Sequence, residues 1–161
     1  MAEKALLVVY SYHHRNTEAI AKAIAPILGA AIVTPQEVDP NELAGSELLG
    51  FGSGIYSARH HASLLDLADR LPHVSGRNAF LFSTCGAPAF AVTREFIFKN
   101  HSALREKLVS KGYKIVDEFG CVGWNTNSFL RFFGGLNRGR PNAEDLKHAE
   151  TFARDLQANK H

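Results

Sequence analysis

The chain has 161 residues, 45% of them hydrophobic and 21% charged, and its formal net charge is +2. These values are typical of one globular domain, and we expect residues 1–161 to form it and to bury about 70% of the surface of the unfolded chain. No apolar run approaches the roughly 20 residues that span a bilayer, and no dense Lys/Arg stripe indicates a nucleic-acid partner.

The amino terminus and the cysteines indicate the compartment. Residues 1–10 lack the long apolar core and the cleavage site of a signal peptide, so we expect a cytoplasmic protein. Cys85 and Cys121 form neither a C-x-x-C pair nor a zinc pattern. In a reducing compartment we expect two thiols that pack as small hydrophobic side chains, with a redox role as the second interpretation. Because they end adjacent predicted strands, they are expected to lie near each other.

The first predicted strand covers residues 4–10 and is almost entirely apolar, which is typical of a central strand of a parallel sheet that is buried on both faces. A short polar loop follows, and a helix is predicted to begin near Asn16 or Thr17. Pro26 predicts a bent last turn, and Gly29 closes the helix. The apolar face of this helix repeats at helical spacing through Ile20, Ile24, Ile27 and Leu28.

The junction between this strand and this helix predicts an anion site. The N–H groups of the first helical turn have no partner within the helix and point outward, and the helix dipole favours negative charge there. Six polar side chains can add donors to the same point: Ser11, His13, His14, Arg15, Asn16 and Thr17. On these residues alone, a plain strand–helix connection with a capped helix explains the pattern equally well.

The rest of the chain alternates between strand-length apolar runs and amphipathic segments. Further strands are predicted at residues 30–34, 47–53, 79–83 and 113–121. Further helices are predicted at residues 61–71, at residues 100–111 and from about residue 141 onward. The last of these helices has Asp145 in a capping box, and the polar segment 36–45 is a loop with room for one helical turn after Pro40. Strands that alternate with helices predict an α/β fold, in which a doubly wound parallel sheet forms the middle of three layers.

Three stretches carry a resemblance to a known family. The motif Ser-x-x-x-x-Asn-Thr after the first strand resembles the phosphate loop of the flavodoxins, and its His-His pair is similar to that of short flavodoxin-like proteins. Residues 51–56, Phe-Gly-Ser-Gly-Ile-Tyr, resemble the loop that brackets the isoalloxazine ring of the flavin. Residues 83–88, Ser-Thr-Cys-Gly-Ala-Pro, fall where the family places its second loop along that ring. The Gly-Gly-x-x-x-Gly-x-Pro segment at residues 134–141 is also similar to one in the short proteins.

The resemblance implies a five-stranded parallel sheet of order 2-1-3-4-5. It also implies FMN at the carboxyl edge of the sheet, with the 5′-phosphate held by the first loop. Tyr56 is expected to stack on the ring, whereas Trp124 either packs on the flavin or anchors its own loop. The residues that the resemblance places along the isoalloxazine are Ser53, Gly54, Ile55, Tyr56, Ser57, Thr84, Cys85, Gly86 and Trp124.

One long connection, residues 122–140, is predicted to be a flap beside the flavin, because long loops in small domains are usually functional. Arg131, Arg138 and Arg140 are expected to give its rim a positive character. The tripeptide at residues 96–98, Phe-Ile-Phe, is predicted to pack in the core or, if exposed, to form a docking patch. A metal site built from the adjacent histidines at positions 13–14 and 60–61 is disfavoured, since tandem histidines point apart and no carboxylate or thiol pattern supports them.

The resemblance implies an electron-transfer protein that works between redox partners rather than an enzyme. Electron-carrier flavodoxins are typically acidic, so the net charge of +2 predicts a partner with an acidic docking surface. The first alternative is an FMN-dependent NAD(P)H oxidoreductase that reduces quinones or other small acceptors, with Arg59 and the arginines of the flap holding the pyridine nucleotide. The second alternative is an interaction module that has lost its cofactor.

Overall fold

A parallel β-sheet lies between two layers of helices in the computed structural model, which describes residues 4–11, 15–125 and 135–159. The strands are β1 (Ala5–Tyr10), β2 (Ala31–Val33), β3 (Leu48–Tyr56), β4 (Arg59–His60), β5 (Arg77–Cys85) and β6 (Tyr113–Val122). The helices are α1 (Asn16–Leu28), α2 (Pro40–Leu43), α3 (Ala62–Arg70), α4 (Arg94–Asn100), α5 (Ser102–Ser110) and α6 (Ala143–Ala158).

The main strands follow the order β2-β1-β3-β5-β6, and every pair in this series is parallel. Once the two-residue strand β4 is set aside, this is the predicted order 2-1-3-4-5. The order reverses at β1, so the carboxyl ends of β1 and β3 form the crevice in which open α/β sheets bind their ligands. The predicted α/β class and topology are therefore confirmed.

Each face of the sheet has its own hydrophobic core. Leu7 and Val9 of β1 pack with Phe80 and Phe82 of β5 against α1 and α6. On the opposite face, alternate residues such as Leu6, Val8, Phe51 and Leu81 pack against α3 and α5. Burial on both faces explains why β1 reads as a continuous apolar run.

Two glycines of β3 make room for the aromatic core. A Cβ atom at Gly52 would lie 2.1 Å from the ring of Phe82, and one at Gly50 would lie 2.4 Å from the ring of Phe80. A side chain at either position would force these buried rings aside. The glycines therefore let two phenylalanines of β5 lie across the neighbouring strand.

The local signals at two helices have their predicted effects. Pro26 lies inside α1, and Gly29 ends the helix with a φ of 63°. The Gly29 and Ala30 N–H groups donate to carbonyls of the last turn. At the other end of the chain, Asn142 and Asp145 form the reciprocal capping box that begins α6.

The predicted end of one strand is wrong, and one helix was not predicted. Strand β3 does not end at residue 53 but runs to Tyr56, because it turns back through residues 57–58 and pairs antiparallel with β4. The helix predicted at residues 100–111 is preceded by α4, which begins at residue 94 after Thr93 caps it by accepting a hydrogen bond from the Phe96 N–H group.

Residues 96–98 were predicted to pack in the core, but Phe98 does not. Phe96 and Ile97 are half-buried, whereas Phe98 is 55% exposed. The guanidinium carbon of Arg105 lies 3.6 Å from the centre of the Phe98 ring, which is a cation–π contact. Of the helices in the described part of the chain, none is both long and apolar enough to span a membrane.

Candidate functional site

The described part of the β1–α1 junction presents backbone N–H groups at the start of α1. Arg15 adopts a left-handed conformation, with φ 52° and ψ 37°, and turns the chain into α1. Asn16 and Thr17 are the first helical residues, so their N–H groups have no carbonyl partner within the helix. The Glu18 N–H group donates to Ser11 Oγ at 3.2 Å, which leaves the Ser11 hydroxyl proton to be donated elsewhere. His13 and His14 lie outside the described residues.

Arg15 adds a cation at the rim of this junction. Its side chain is 79% exposed and lies 3.7 Å from the Glu18 carboxylate, which also pairs with Lys22 at 3.2 Å. Exposed pairs of this kind contribute little to stability. The Arg15 side chain can therefore turn towards an anion at the helix N-terminus at small cost.

The predicted loops meet at the carboxyl edge of the sheet through two hydrogen bonds. Thr17 Oγ1 of α1 and Thr84 Oγ1 of β5 lie 2.8 Å apart, and both residues are buried. Asn16 Nδ2 donates to the carbonyl oxygen of Trp124 at 3.0 Å, so the β6–α6 connection is held against α1. The structure thus brings together residues of the first and third predicted loops and Trp124, which are far apart in the chain.

Two glycines allow the β6–α6 connection to pack closely: Gly86 lets it contact the third predicted loop, and Gly123 lets it contact the start of α1. A Cβ atom at Gly86 would lie 2.5 Å from Asn125 Nδ2, and one at Gly123 would lie 2.4 Å from Asn16 Nδ2. Asn125 Nδ2 also donates to the Gly86 carbonyl at 3.2 Å, and Asn137 Nδ2 donates to the Ala87 carbonyl at 2.9 Å. These contacts hold the loop after β5 against the β6–α6 connection.

The β6–α6 connection is closed at its base. Asn125 and Leu136 exchange backbone hydrogen bonds of 2.8 and 2.7 Å, and the Trp124 N–H group donates to the Arg140 carbonyl. The flap prediction falls largely on residues 126–134, including Arg131, which lie outside the described residues. Arg138 is exposed, as the predicted rim requires.

Arg140 departs from the predicted rim, because its guanidinium forms a two-point ion pair with the buried Asp145 carboxylate. Burial by itself raises the pKa of Asp145, but hydrogen bonds from Arg140 and from the Asn142 N–H group outweigh it and lower the pKa below its usual value. Arg140 therefore fastens the connection to α6 and is not a free cation.

The second predicted loop is a hairpin. Ser57 and Ala58 have φ angles of 52° and 63°, the pair of positive values that a type I′ turn requires. Ser53 is buried at the start of the hairpin, where its hydroxyl accepts from the His61 N–H group at 3.0 Å and donates to the Gly54 carbonyl at 2.7 Å. The predicted loop residues Gly54, Ile55 and Tyr56 are thus held in strand conformation.

Aromatic side chains line a cleft of about 340 Å³ beside this hairpin. The rings of Tyr10 and His61 stack with their centres 3.7 Å apart, and the ring of Tyr56 meets His61 edge-on at 5.3 Å. Burial lowers the pKa of His61, although the charge of Asp66 opposes the shift. Exposed Arg59 lies at the mouth of the cleft.

The two cysteines lie on neighbouring strands, as predicted, and are free thiols. Cys121 of β6 is in register with Thr84, and Cys85 is in register with Val122. Burial is the largest cause that raises the pKa of each thiol, and it brings that of Cys121 to about 12. Both sulfurs are therefore protonated at neutral pH, which favours the packing interpretation over a nucleophilic one.

Sequence reasoning missed a buried polar cluster on the α3/α5 face of the sheet. Ser83, His101 and Glu118 are linked by hydrogen bonds of 2.7 and 3.0 Å, and the rings of His60 and His101 lie 4.6 Å apart. These residues are far apart in the chain and share no motif, so only the fold reveals them. Within the described residues, no group of three or more His, Cys, Asp or Glu side chains could hold a metal ion.

A larger groove, of about 690 Å³, lies at the opposite edge of the sheet. It contains none of the predicted site residues. Its charged lining is mixed, with Lys4, Arg77 and Lys114 beside Glu47 and Asp155. Because the N-terminus of α1 and the aromatic cleft both lie at the carboxyl edge, the groups suited to a binding site are concentrated there.

The donor set at the carboxyl edge fits FMN. The N-terminus of α1 with the Ser11 hydroxyl suits a phosphate. The aromatic cleft suits a flat ring, and its volume is within the range of small-molecule sites. Gly86 follows β5 at the same edge, where the Asn125 side chain leaves no room for a Cβ atom.

Comparisons with known proteins agree with the fold. No protein-family model matches the chain. An uncharacterized protein of Methanocaldococcus jannaschii is 42% identical over 156 residues, which cover 97% of this chain and 99% of that protein. The crystal structure of oxidised flavodoxin 2 from Bacillus cereus superposes with a TM-score of 0.71 and 17% identity, covering 98% and 99% of the two chains.

A second solved structure, the apo form of an NADH:FMN oxidoreductase, superposes with a TM-score of 0.62 and 19% identity, covering 95% of this chain and 89% of the other. At these identities the superpositions establish the fold, while the sequence relative establishes common descent. The chain therefore belongs, together with the Methanocaldococcus jannaschii protein, to a family with the flavodoxin-like fold.

Proposed function

We propose that the chain binds FMN at the carboxyl edge of its sheet and carries electrons between redox proteins. The observation that carries this proposal is the contact of two distant segments with the N-terminus of α1: the end of β5 through the Thr17–Thr84 hydrogen bond, and the β6–α6 connection through the bond from Asn16 to Trp124. A helix N-terminus and a flat aromatic cleft at the same sheet edge match the phosphate and the ring of one ligand.

The phosphate would be held by the β1–α1 junction. The backbone N–H groups of Asn16 and Thr17 and the Ser11 hydroxyl provide fixed donors, and the exposed Arg15 side chain provides charge. Two histidines of the same loop, at positions 13–14, complete the proposed phosphate site. Charge-assisted hydrogen bonds of this kind contribute about 1.5–3 kcal/mol each.

The isoalloxazine would lie among the other predicted loops. Tyr56 offers an aromatic face and Trp124 flanks the junction from the β6–α6 connection. The remaining proposed ring contacts are Ser53, Gly54, Ile55 and Ser57 of the hairpin and Thr84, Cys85 and Gly86 after β5. When bound, FMN supplies the redox chemistry, and the protein holds it and sets its surroundings.

The rim of the site supports an acidic partner. Arg15, Arg59 and Arg138 are all exposed and follow strands that end at this edge. Positive charge around a redox centre raises the rate at which the protein associates with a partner that has an acidic surface. This rate falls as the salt concentration rises, because salt screens the charges. A rate of reduction by an acidic redox protein that stays constant across ionic strength would contradict this part of the proposal.

The second candidate function is an NAD(P)H-dependent oxidoreductase. The similarity of the fold to an NADH:FMN oxidoreductase is compatible with it, and Arg59 at the mouth of the aromatic cleft offers a phosphate contact for a pyridine nucleotide. Adding NADPH under argon to the FMN-loaded protein separates the two functions. In an electron carrier the flavin stays oxidised until a reductase is added, whereas in an oxidoreductase NADPH bleaches the flavin at once.

The phosphate site is tested by comparing FMN with riboflavin. We expect the wild-type protein to bind FMN more tightly, because riboflavin lacks the phosphate. Ser11→Ala should weaken FMN binding about 10-fold or more, the equivalent of one charge-assisted hydrogen bond, and leave riboflavin binding unchanged. Ser75→Ala, in an exposed turn between α3 and β5, is the matched control. Equal affinity of the wild-type protein for the two flavins would overturn the phosphate site.

A further inference from the structure

The buried polar cluster on the α3/α5 face is organised around His101. This residue is fully buried, at 0% exposure. Its Nε2 atom lies 2.7 Å from Ser83 Oγ, and its Nδ1 atom lies 3.0 Å from Glu118 Oε1. Arg105 Nη1 donates to both Glu118 carboxylate oxygens, at 2.9 and 3.2 Å.

The cluster is connected to the proposed flavin loops through Ser83. This residue immediately precedes the segment at residues 84–86, which we propose lies along the flavin ring. It is also in register with Ser53 of β3, whose hydroxyl fixes the start of the hairpin. The His101 ring therefore lies one hydrogen bond away from the strand end that presents the loop.

The two partners of His101 determine which way its hydrogen bonds run. Glu118 is a carboxylate paired with Arg105 and can only accept, so Nδ1 of His101 must carry a proton. In neutral His101, Nε2 then has a lone pair and accepts from the Ser83 hydroxyl. In protonated His101, Nε2 donates to Ser83 Oγ, and the Ser83 hydroxyl proton is released to another acceptor. Protonation thus reverses the hydrogen bond at the end of β5.

Protonation also changes the charge below the loop. The groups that face His101 are Glu118 from β6, Arg105 from the first turn of α5, which begins at the residue after His101, and His60 from β4. Arg105 and Glu118 cancel each other. Burial, reinforced by the nearby His101, lowers the pKa of His60 to about 3, although the hydrogen bond to the Phe82 carbonyl opposes the shift. His60 is therefore neutral near pH 7. Protonation of His101 would therefore add one positive charge to this cluster.

We propose that His101 is a positioning residue of the flavin site that takes up a proton from solvent when the bound flavin gains electrons from a low-potential donor. This inference rests on the proposed FMN-binding function. The electrons reduce the flavin and the proton forms the Nε2–H bond of His101. Added negative charge on a buried ligand favours a cation nearby. By linkage, protonated His101 favours reduction to the same extent.

The test measures the midpoint potential of the FMN-loaded protein from about pH 5 to about pH 8, the range in which imidazole titrates. His101→Gln keeps a polar side chain but cannot titrate, and His73→Gln, in the exposed α3–β5 connection, is the control. We expect the wild-type and His73→Gln potentials to fall with rising pH more than that of His101→Gln, with the three converging at high pH. Parallel curves for wild type and His101→Gln would overturn the inference.

A second measurement uses the wild-type protein alone and so does not depend on the folding of a variant. In protein labelled with nitrogen-15 histidine, the His101 ring nitrogens report whether one or both carry protons. We expect both to be protonated in the dithionite-reduced protein at a pH at which only Nδ1 is protonated in the oxidised protein. The same protonation state in both redox forms throughout this pH range would overturn the inference while leaving FMN binding intact, whereas failure to bind FMN would overturn both proposals.

Discussion

The hydrogen bond between Thr17 and Thr84 is the most direct link between the predicted phosphate loop and the predicted ring loop. The two hydroxyl oxygens lie 2.8 Å apart, and the residues are 2% and 4% exposed. Valine has nearly the shape of threonine without its hydroxyl. Thr17→Val or Thr84→Val therefore leaves the other hydroxyl buried without its partner and creates almost no cavity.

The expected magnitudes follow from this burial. An unsatisfied buried hydroxyl costs about 1–3 kcal/mol, whereas replacing both partners by apolar groups of the same shape is nearly neutral. We expect each single variant to lower the free energy of unfolding by about 1–3 kcal/mol. The double variant should lose less than either single one, so the coupling energy of the pair should exceed the loss in one single variant.

Urea unfolding without added flavin gives the free energy of unfolding of the wild-type protein and of the three variants, which completes the double-mutant cycle. Thr151→Val is the control, because the Thr151 hydroxyl is exposed and bonds only to a carbonyl of its own helix. This control should change the free energy of unfolding by less than about 0.5 kcal/mol. Additive losses in the double variant would refute the conclusion that the two hydroxyls satisfy each other.

Three further predictions concern the packing around the site. Asp145→Asn should lower stability by about 1.5–3 kcal/mol at neutral pH, by weakening the ion pair with Arg140. The pKa of Asp145 is depressed in the fold, so its contribution to stability is present above the unfolded pKa of about 4 and is lost as the pH falls. The stability of Asp145→Asn, measured by urea unfolding, should therefore depend less on pH below about 4 than that of the wild-type protein. Equal acid dependence of the two proteins would contradict this. Gly86→Ala places a Cβ atom 2.5 Å from the Asn125 amide. This variant should lower the free energy of unfolding by about 1–3 kcal/mol and should bind FMN more weakly in a flavin titration. An unchanged affinity for FMN would show that this loop is remote from the ligand. Iodoacetamide at pH 8 should modify Cys121 only after unfolding, since burial raises its pKa to about 12; mass spectrometry showing equally fast labelling of the native protein would refute this.

The parts of the fold that were predicted correctly have local causes. The apolar run of β1, the helical spacing of α1 and the glycine that ends it all lie within a few residues of the structure they determine. The capping box of α6 is equally local. The order of the strands came from the alternation of strands and helices together with the family resemblance.

The parts that were missed depend on contacts between distant segments or on unusual turn residues. Type I′ turns usually carry Asn or Gly, and the Ser57–Ala58 turn has neither, so the hairpin left no signal in the sequence. Helix α4 was hidden because its apolar residues read as a short core segment and Phe98 is exposed. The cluster around His101 joins residues of β4, β5, β6 and α5, and no spacing of its residues predicts that they meet.

The measurement that tests the central claim most directly is a visible-absorption titration of the purified, flavin-free protein with FMN. If the carboxyl edge of the sheet binds FMN, the flavin bands shift and sharpen and the change saturates at one FMN per chain. If the bands remain those of free FMN throughout the titration, the chain has the flavodoxin-like fold without its cofactor, and the β1–α1 junction is an ordinary capped helix start.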